Sequence, residues 1–162
     1  ARNLGGPDEL LAGLNRKLAQ ELEPGMFVTM LAAAIEPESG RLEFANAGHP
    51  APLLRTPDRR VQELGEHGAL PLGAMSDTSF PLHTATITPG ASVLFYTDGL
   101  DEAHNAAQDL FGKERVIQTL AGSGGGAQGT IDALLAEIAR FTDGQAQSDD
   151  LTLIMVARER SA

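Results

Sequence analysis

A helix is predicted near the start of the chain, because leucines recur there at intervals that place them on one helical face. Pro7, Asp8 and Glu9 precede most of these leucines, and proline and acidic residues are favoured in a first helical turn. Glu23-Pro24-Gly25 then breaks the pattern. The spacing predicts a helix over about 8–22. The leucines on this face are Leu10, Leu11, Leu14, Leu18 and Leu22.

Short apolar or alternating segments between turn residues predict strands along the rest of the chain. The first two strands, joined by Pro37-Glu38-Ser39-Gly40, are expected to form a hairpin, and Pro89-Gly90 joins a later strand-turn-strand unit. Val93, Phe95, Leu151 and Leu153 are expected in the core, on paired central strands. The predicted strands cover 26–35, 41–46, 52–55, 61–64, 82–88, 92–97 and 151–156.

Two further helices are predicted over 113–121 and 130–142, on either side of a glycine-rich connector at Gly122–Gly126. Strands that follow one another in hairpins, with helices grouped apart from them, indicate an α+β fold with mainly antiparallel sheets. A chain of 162 residues is within the usual size of one domain. We therefore expect a single domain over 1–162.

Composition and charge narrow the classes of function. The formal net charge is −10 and no run of Lys or Arg is long, so nucleic acid is not an expected partner. No apolar stretch approaches the roughly 20 residues of a membrane span, and the first residues lack a signal-peptide core. The chain has no cysteine, which is compatible with the cytosol. Any metal must therefore be bound by carboxylates or histidines.

Acidic residues stand next to two strongly apolar predicted strands. Asp98 follows the strand over 92–97, whereas Asp149 and Asp150 precede the strand over 151–156. A carboxylate at a buried strand end needs solvent, hydrogen bonds or a cation. If the two strands are neighbours, their ends bring Asp98 and Asp149 together, and a hard divalent cation is the natural counter-charge. Taken singly, each aspartate is more often a turn or cap residue than a ligand.

Two sequence blocks resemble those of bacterial metal-dependent protein serine/threonine phosphatases of the SpoIIE/RsbU type, within the PPM class. Phe95–Ala103 reads FYTDGLDEA and resembles the family's YTDGhxEA block, and Gln147–Thr152 reads QSDDLT and resembles its QxDDhT block. Four weaker matches occur along the chain in the same order as in the family. A chance match to one short motif would not produce this order. The four weaker matches are Met26–Met30, Asn46–Pro50, Leu70–Gly73 and Phe111–Arg115.

The resemblance implies an αββα sandwich of mainly antiparallel sheets, with two Mn²⁺ or Mg²⁺ ions bound at one end of the sheets. Asp98 and Asp149 match the family's metal-binding aspartates. Asp150 and Gly99 are candidates for the metal shell or its surroundings. Two metal ions can activate a bridging water and stabilise phosphoryl oxygens, so no residue need act as a nucleophile. No catalytic side chain is assigned.

Asn46 and His49 belong to the Asn-Ala-Gly-His segment that resembles the family's NAGH block. A histidine in a loop after a strand can be a ligand or an acid or base. His49 has no nearby histidine at metal-binding spacing, so a structural role or a place at the rim of the site is favoured. Both residues are carried forward as rim candidates.

The family's GDVxGHG segment, which supplies another metal-binding aspartate and a glycine carbonyl, has no counterpart in this sequence. The expectation is therefore the C-terminal part of such a domain, weak or inactive on its own. Uncovered strand edges would favour a homodimer or strand exchange. Two alternatives remain, a phosphatase-like interaction module without activity and an unrelated small-molecule-binding α+β domain.

The resemblance also implies partners and a location. The substrate is expected to be a phosphorylated protein, namely an antagonist of an anti-sigma factor in bacterial signalling. An upstream sensor or receiver domain is the expected regulator. The parent protein is expected in the cytoplasm.

Overall fold

The computed structural model describes residues 5–65, 69–145, 147 and 149–160. The chain forms two compact units. The first comprises Ala1–Ala51 and Gly65–Thr86, and the second comprises Pro52–Leu64 and Ile87–Ala162. The assignment of one domain over 1–162 stays a prediction.

The described residues contain helices and short strands. In chain order these are α1 (Pro7–Glu21), β1 (Met30–Ile35), β2 (Arg41–Ala47), β3 (Leu53–Arg55), β4 (Val61–Glu63), β5 (His83–Thr86), β6 (Ser92–Tyr96), α2 (Lys113–Gly122), α3 (Gly126–Thr142) and β7 (Leu153–Ala157).

The first unit is a three-stranded antiparallel sheet with α1 against it. Its strand order is β1-β2-β5, with Met30 opposite Ala47 and Arg41 opposite Thr86. Helix α1 contacts β1 and β2. Its fully buried Leu11 shares a core with Ala32 and Ala45, whose short side chains leave room for the helix.

The second unit is a four-stranded antiparallel sheet with two helices. Its strand order is β4-β3-β6-β7, and α2 and α3 contact each other as well as strands of this sheet. Alternate residues of β6 point to the helical side, because Leu94 and Tyr96 share a core cluster with residues of both helices. Those helical residues are Val116, Leu120 and Leu134.

The predicted class, α+β with mainly antiparallel sheets and flanking helices, is confirmed. The hairpin of the first two strands is confirmed as β1 and β2. Helices were predicted near 8–22, 113–121 and 130–142, and the last begins earlier, at Gly126. Most strand limits differ from the prediction by one or two residues.

Three details of the prediction were wrong. The first strand begins at Met30 rather than Met26, and Phe27 is 59% exposed. The strands on either side of Pro89-Gly90 do not pair, because β5 joins β2 whereas β6 joins β3 and β7. Within the described residues β7 is an edge strand.

The four predicted core residues differ in burial. Val93 is fully buried, whereas Phe95, Leu151 and Leu153 are half-buried. Successive residues of a strand point to opposite faces of a sheet. Leu153 stands opposite Tyr96 and shares its helix-covered face, whereas Phe95 points to the other face. Leu151 and Leu153 pack against the helix-covered cluster.

Candidate functional site

Strands β6 and β7 bring the segments that carry Asp98 and Asp149 to the same end of the second unit's sheet. The strands are antiparallel and Tyr96 stands opposite Leu153. The contact continues beyond the strands, because the Thr97 amide donates to the Thr152 carbonyl at 3.2 Å. The Thr97 hydroxyl donates to the Asp150 carbonyl at 2.8 Å and accepts from the Thr152 amide at 2.9 Å. Thr97 therefore holds the two chain segments side by side.

Gly99 allows a close approach between these segments. A Cβ atom at this position would lie 2.6 Å from the Asp150 carbonyl oxygen and 3.3 Å from that of Asp149. The first distance is shorter than real Cβ contacts. Any residue with a Cβ atom would therefore clash with the backbone here, so only glycine fits at this position.

A tight turn follows Asp98. The Leu100 amide donates to the Thr97 carbonyl at 3.0 Å, and the Glu102 amide donates to the Asp98 carbonyl at 2.8 Å. Asp98 is half-buried, whereas Asp149 and Asp150 are exposed. The Asp149 carboxylate accepts from the Asp150 amide at 2.7 Å. Solvent therefore reaches the carboxylates of Asp98, Asp149 and Asp150.

These carboxylates supply only part of a metal site. Carboxylate oxygens suit Mg²⁺ and similar hard cations, which need about six oxygen ligands. Within the described part of the chain, no group of three or more His, Cys, Asp or Glu side chains is placed to bind a metal ion. Water or residues outside this group must therefore complete the shell of any ion held by Asp98 and Asp149.

Two buried polar atoms near this turn were missed by the sequence reasoning. The Tyr96 hydroxyl and Asp101 Oδ1 are buried and have no hydrogen-bond partner within the described residues. Burial raises the pKa of Tyr96, and the Asp101 carboxylate raises it further. Burial likewise raises the pKa of Asp101. The sequence signal was a tyrosine and an acid inside the FYTDGLDEA block, in which the sequence analysis named only Asp98 and Gly99 as candidates.

Asn46 and His49, the predicted rim residues, lie in the first unit. The Asn46 amide donates to the His49 carbonyl at 2.8 Å, and the His49 amide donates to Asn46 Oδ1 at 2.8 Å. Between them Gly48 has a φ of 69°, and a Cβ there would lie 2.6 Å from Pro71. Two hydrogen bonds between Asn46 and His49 thus close this segment into a tight loop. Its role at a site rim stays a prediction.

Asn15 is a buried polar residue that the helical pattern concealed. It is 1% exposed, and its amide donates to the Met75 carbonyl at 2.9 Å and to the Ser76 carbonyl at 3.1 Å. Its Oδ1 accepts from the Gly73 amide at 2.8 Å. Asn15 therefore ties α1 to the segment from Gly73 to Ser76.

The sequence as a whole matches a family model. The model is described as stage II sporulation protein E (SpoIIE), and it matches residues 1–159. The chain is 29% identical to protein IcfG of Synechocystis sp. over 82% of its own length and 21% of that protein. It is 26% identical to the phosphoserine phosphatase RsbU of Bacillus subtilis over 94% of its length and 45% of that protein. The chain thus spans less than half of either relative.

A solved structure resembles the fold. The SiaA-PP2C domain of Pseudomonas aeruginosa superposes with a TM-score of 0.75 and 20% identity, covering 95% of this chain and 61% of that one. At this identity the likeness establishes the fold. Of the helices in the described residues, none has the length and apolar character needed to cross a membrane.

Proposed function

Because the chain belongs to the stage II sporulation protein E family, we propose that it forms part of a metal-dependent phosphatase acting on phosphoserine or phosphothreonine in a regulatory protein. The observation that carries the proposal is the junction of β6 and β7, where the segments of Asp98 and Asp149 meet. The relative RsbU is named a phosphoserine phosphatase, which supports the same reaction.

In this proposal Asp98 and Asp149 are ligands of Mn²⁺ or Mg²⁺, two ions being expected in the complete site, and Asp150 and Gly99 shape the surroundings. The bound metal would supply an activated water and charge stabilisation for the phosphoryl group. Thr97 and Gly99 keep the two acidic segments close together. The carboxylates alone would repel a phosphate dianion. They can therefore help to bind such a substrate only when a cation lies between the carboxylates and the phosphate.

Partners and location follow from the same assignment. The substrate is a phosphorylated antagonist of an anti-sigma factor, and an upstream sensor or receiver domain regulates the reaction. The protein acts in the cytoplasm, and uncovered strand edges would permit a homodimer. Asn46 and His49 are proposed for the rim of the site.

A second candidate function is that of an interaction module which keeps the phosphatase fold without activity. It is favoured by one observation, the lack of a three-residue ligand group among the described residues. Under this alternative the protein would bind a phosphoprotein without hydrolysing it.

Hydrolysis of p-nitrophenyl phosphate and of a phosphoserine peptide, by the complete polypeptide with and without manganese, tests the proposal. We expect turnover only with the metal. Turnover of equal rate after removal of all divalent metal would contradict the proposed mechanism. No turnover under either condition, with the phosphopeptide still bound, would establish the interaction module.

A further inference from the structure

A small cavity lies beside the candidate metal site, within the second unit. It has a volume of about 190 Å³, and Gly99, Gln147 and Leu151 are among its lining residues. Gly99 is bonded to Asp98, and Gln147 lies two residues before Asp149. The cavity therefore opens next to the place where the substrate phosphate would bind. We call it the α3 pocket, because Ile138 and Thr142 of α3 form one wall.

The size of the α3 pocket limits its occupant. A cavity of roughly 150 Å³ holds one benzene molecule, whereas sites for drug-sized ligands or cofactors have about 300–1,000 Å³. At about 190 Å³ the α3 pocket can take a single large side chain. It is too small for a nucleotide or another cofactor.

The lining chemistry favours an uncharged occupant. Ala103, Ile138 and Leu151 provide apolar surface, and Leu151 and Ile138 also pack against the core cluster. Among the described lining residues none is Asp, Glu, Lys or Arg, and His104 is the one with a titratable side chain. A lysine or arginine side chain entering the pocket would lose water without meeting a carboxylate. Thr142 and Gln147 can donate or accept hydrogen bonds at its edge.

The position of the pocket selects the source of that side chain. Consecutive residues of an extended peptide are separated by at most about 3.3–3.6 Å. Since Gly99 adjoins Asp98, a residue next to the phosphorylated one, or next but one, would reach the pocket. On the basis of the proposed function, we propose that the α3 pocket binds an aliphatic or aromatic side chain within two residues of the phosphoserine of the substrate protein. It is thus a specificity pocket for the phosphorylated sequence.

Phosphoserine peptides that carry either leucine or glycine at the flanking positions test the proposal, with the complete polypeptide and manganese. A change in how an apolar pocket is filled alters kcat/KM by about 10–200-fold. We expect leucine at one flanking position to raise kcat/KM at least about tenfold over glycine. p-Nitrophenyl phosphate, which has no flanking residue, reports the hydrolytic centre separately.

Substitutions in α3 test whether the preference for leucine over glycine arises in the α3 pocket. Thr142→Phe fills the pocket, so it should abolish the preference for leucine, which is measured as the ratio of kcat/KM for the leucine and glycine peptides within the same variant. Ala136→Phe places the same side chain on an exposed position of α3, and it should keep the preference. Ile138→Ala enlarges the pocket and should shift the preference from leucine towards phenylalanine or tryptophan, which guards against misfolding of the filled variant.

The outcomes separate the two proposals. If p-nitrophenyl phosphate is hydrolysed but leucine and glycine peptides react equally, the specificity pocket is refuted and the phosphatase assignment stands. A leucine preference that survives Thr142→Phe would likewise refute it. If no substrate is hydrolysed, the proposed function fails and the pocket proposal fails with it.

Discussion

At the scale of single residues, Gly99 determines how closely the two acidic segments approach. A methyl group there would meet the Asp150 carbonyl oxygen at 2.6 Å, and that atom belongs to the backbone. We expect Gly99→Ala to force the segments apart and to lower the free energy of unfolding by about 1–3 kcal/mol, as overpacking does. Thermal unfolding measures the loss, and hydrolysis should fall with it.

Gly122→Ala is the matched control for this substitution. Gly122 ends α2, and nothing lies within 4 Å of a Cβ atom there. Alanine at a helical position without steric conflict is neutral or stabilises by up to about 1 kcal/mol. Equal unfolding temperatures for Gly99→Ala and the natural chain would show that the close approach is not required.

Asp101 predicts a dependence of stability on pH. Burial raises the pKa of this carboxyl group in the folded chain, and Glu102 raises it further while Lys113 lowers it. Its protonated form therefore stabilises the fold at low pH, and this contribution is lost as the pH rises through the folded-state pKa. Asp101→Asn should raise the unfolding temperature near about pH 7 and change it little near about pH 3.

The control for this pH effect is Asp132→Asn, an exposed position of α3. That substitution should change the unfolding temperature little at either pH. If Asp101→Asn destabilises the chain more near about pH 7 than near about pH 3, the Asp101 carboxylate has a favourable partner and the argument from burial is wrong.

Sequence reasoning finds residues whose type and neighbours are distinctive, and it misses those whose partners are distant. Asp98 and Asp149 stood out because each is next to an apolar strand within a specific block. Asn15 is not one of the leucines that predict the helix, and its partners are about 60 residues away along the chain, at Met75 and Ser76. Burial of Tyr96 beside Asp101 likewise depends on packing that no local pattern contains.

At the scale of elements, Arg55 of β3 connects the end of α2 with the first turns of α3, where its guanidinium donates to the Thr130 hydroxyl at 3.5 Å. Its guanidinium donates to the carbonyl oxygens of Leu120 at 3.1 Å and Ser123 at 3.0 Å, and to the Ser123 hydroxyl at 2.9 Å. Desolvation lowers the pKa of Arg55, in keeping with its partly buried position. The arginine thus satisfies carbonyls that the end of α2 leaves without helical partners.

Arg55→Met should therefore loosen the connection between α2 and α3. Hydrogen bonds to charged groups contribute about 1.5–3 kcal/mol, and the orphaned carbonyls add a penalty. We expect the free energy of unfolding to fall by about 2–3 kcal/mol. Amide hydrogens around residues 120–130 should also exchange faster.

Arg60→Met provides the comparison, because Arg60 makes an exposed ion pair with Asp58. Exposed ion pairs contribute little to stability because solvent screens them, so this variant should unfold nearly as the natural chain does. Should both variants lose the same stability, the charge of arginine rather than its contacts would be responsible.

Helix and strand positions were largely predictable, and pairing across the chain was only partly so. The periodicity of leucines in α1 and the β-branched and aromatic residues of β6 carry local information. Local sequence does not encode the separation of β5 and β6 into different sheets, because a Pro-Gly turn also suits a hairpin between two paired strands. Which sheet receives each strand depends on contacts between residues that are far apart in sequence.

At the scale of the whole molecule, sheet edges and the acidic charge have opposite consequences for association. Among the described residues β1 and β5 are edges of one sheet, and β4 and β7 are edges of the other. Open edges favour pairing with another chain, whereas a formal charge of −10 opposes close approach of two copies. The proposed homodimer should therefore become more populated as salt screens the charge, which sedimentation measures.

Dimer formation that weakens with added salt would show that attraction between unlike charges, rather than edge pairing, holds the copies together. The acidic charge has a further consequence for the proposed metal site, because it raises the need for a cation before the phosphorylated protein of the proposal could bind. The proposed function therefore depends on Asp98 and Asp149 binding that cation.

Calorimetric titration of manganese into the 162-residue chain tests this claim most directly. We predict weak binding, since two carboxylates fill only part of a six-oxygen shell. Asp98→Asn or Asp149→Asn should weaken it more than about tenfold, because even outer partners of metal ligands change affinity 10–100-fold. Asp132→Asn should leave binding unchanged. Manganese affinity that is the same in the natural chain, Asp98→Asn and Asp149→Asn would contradict the account.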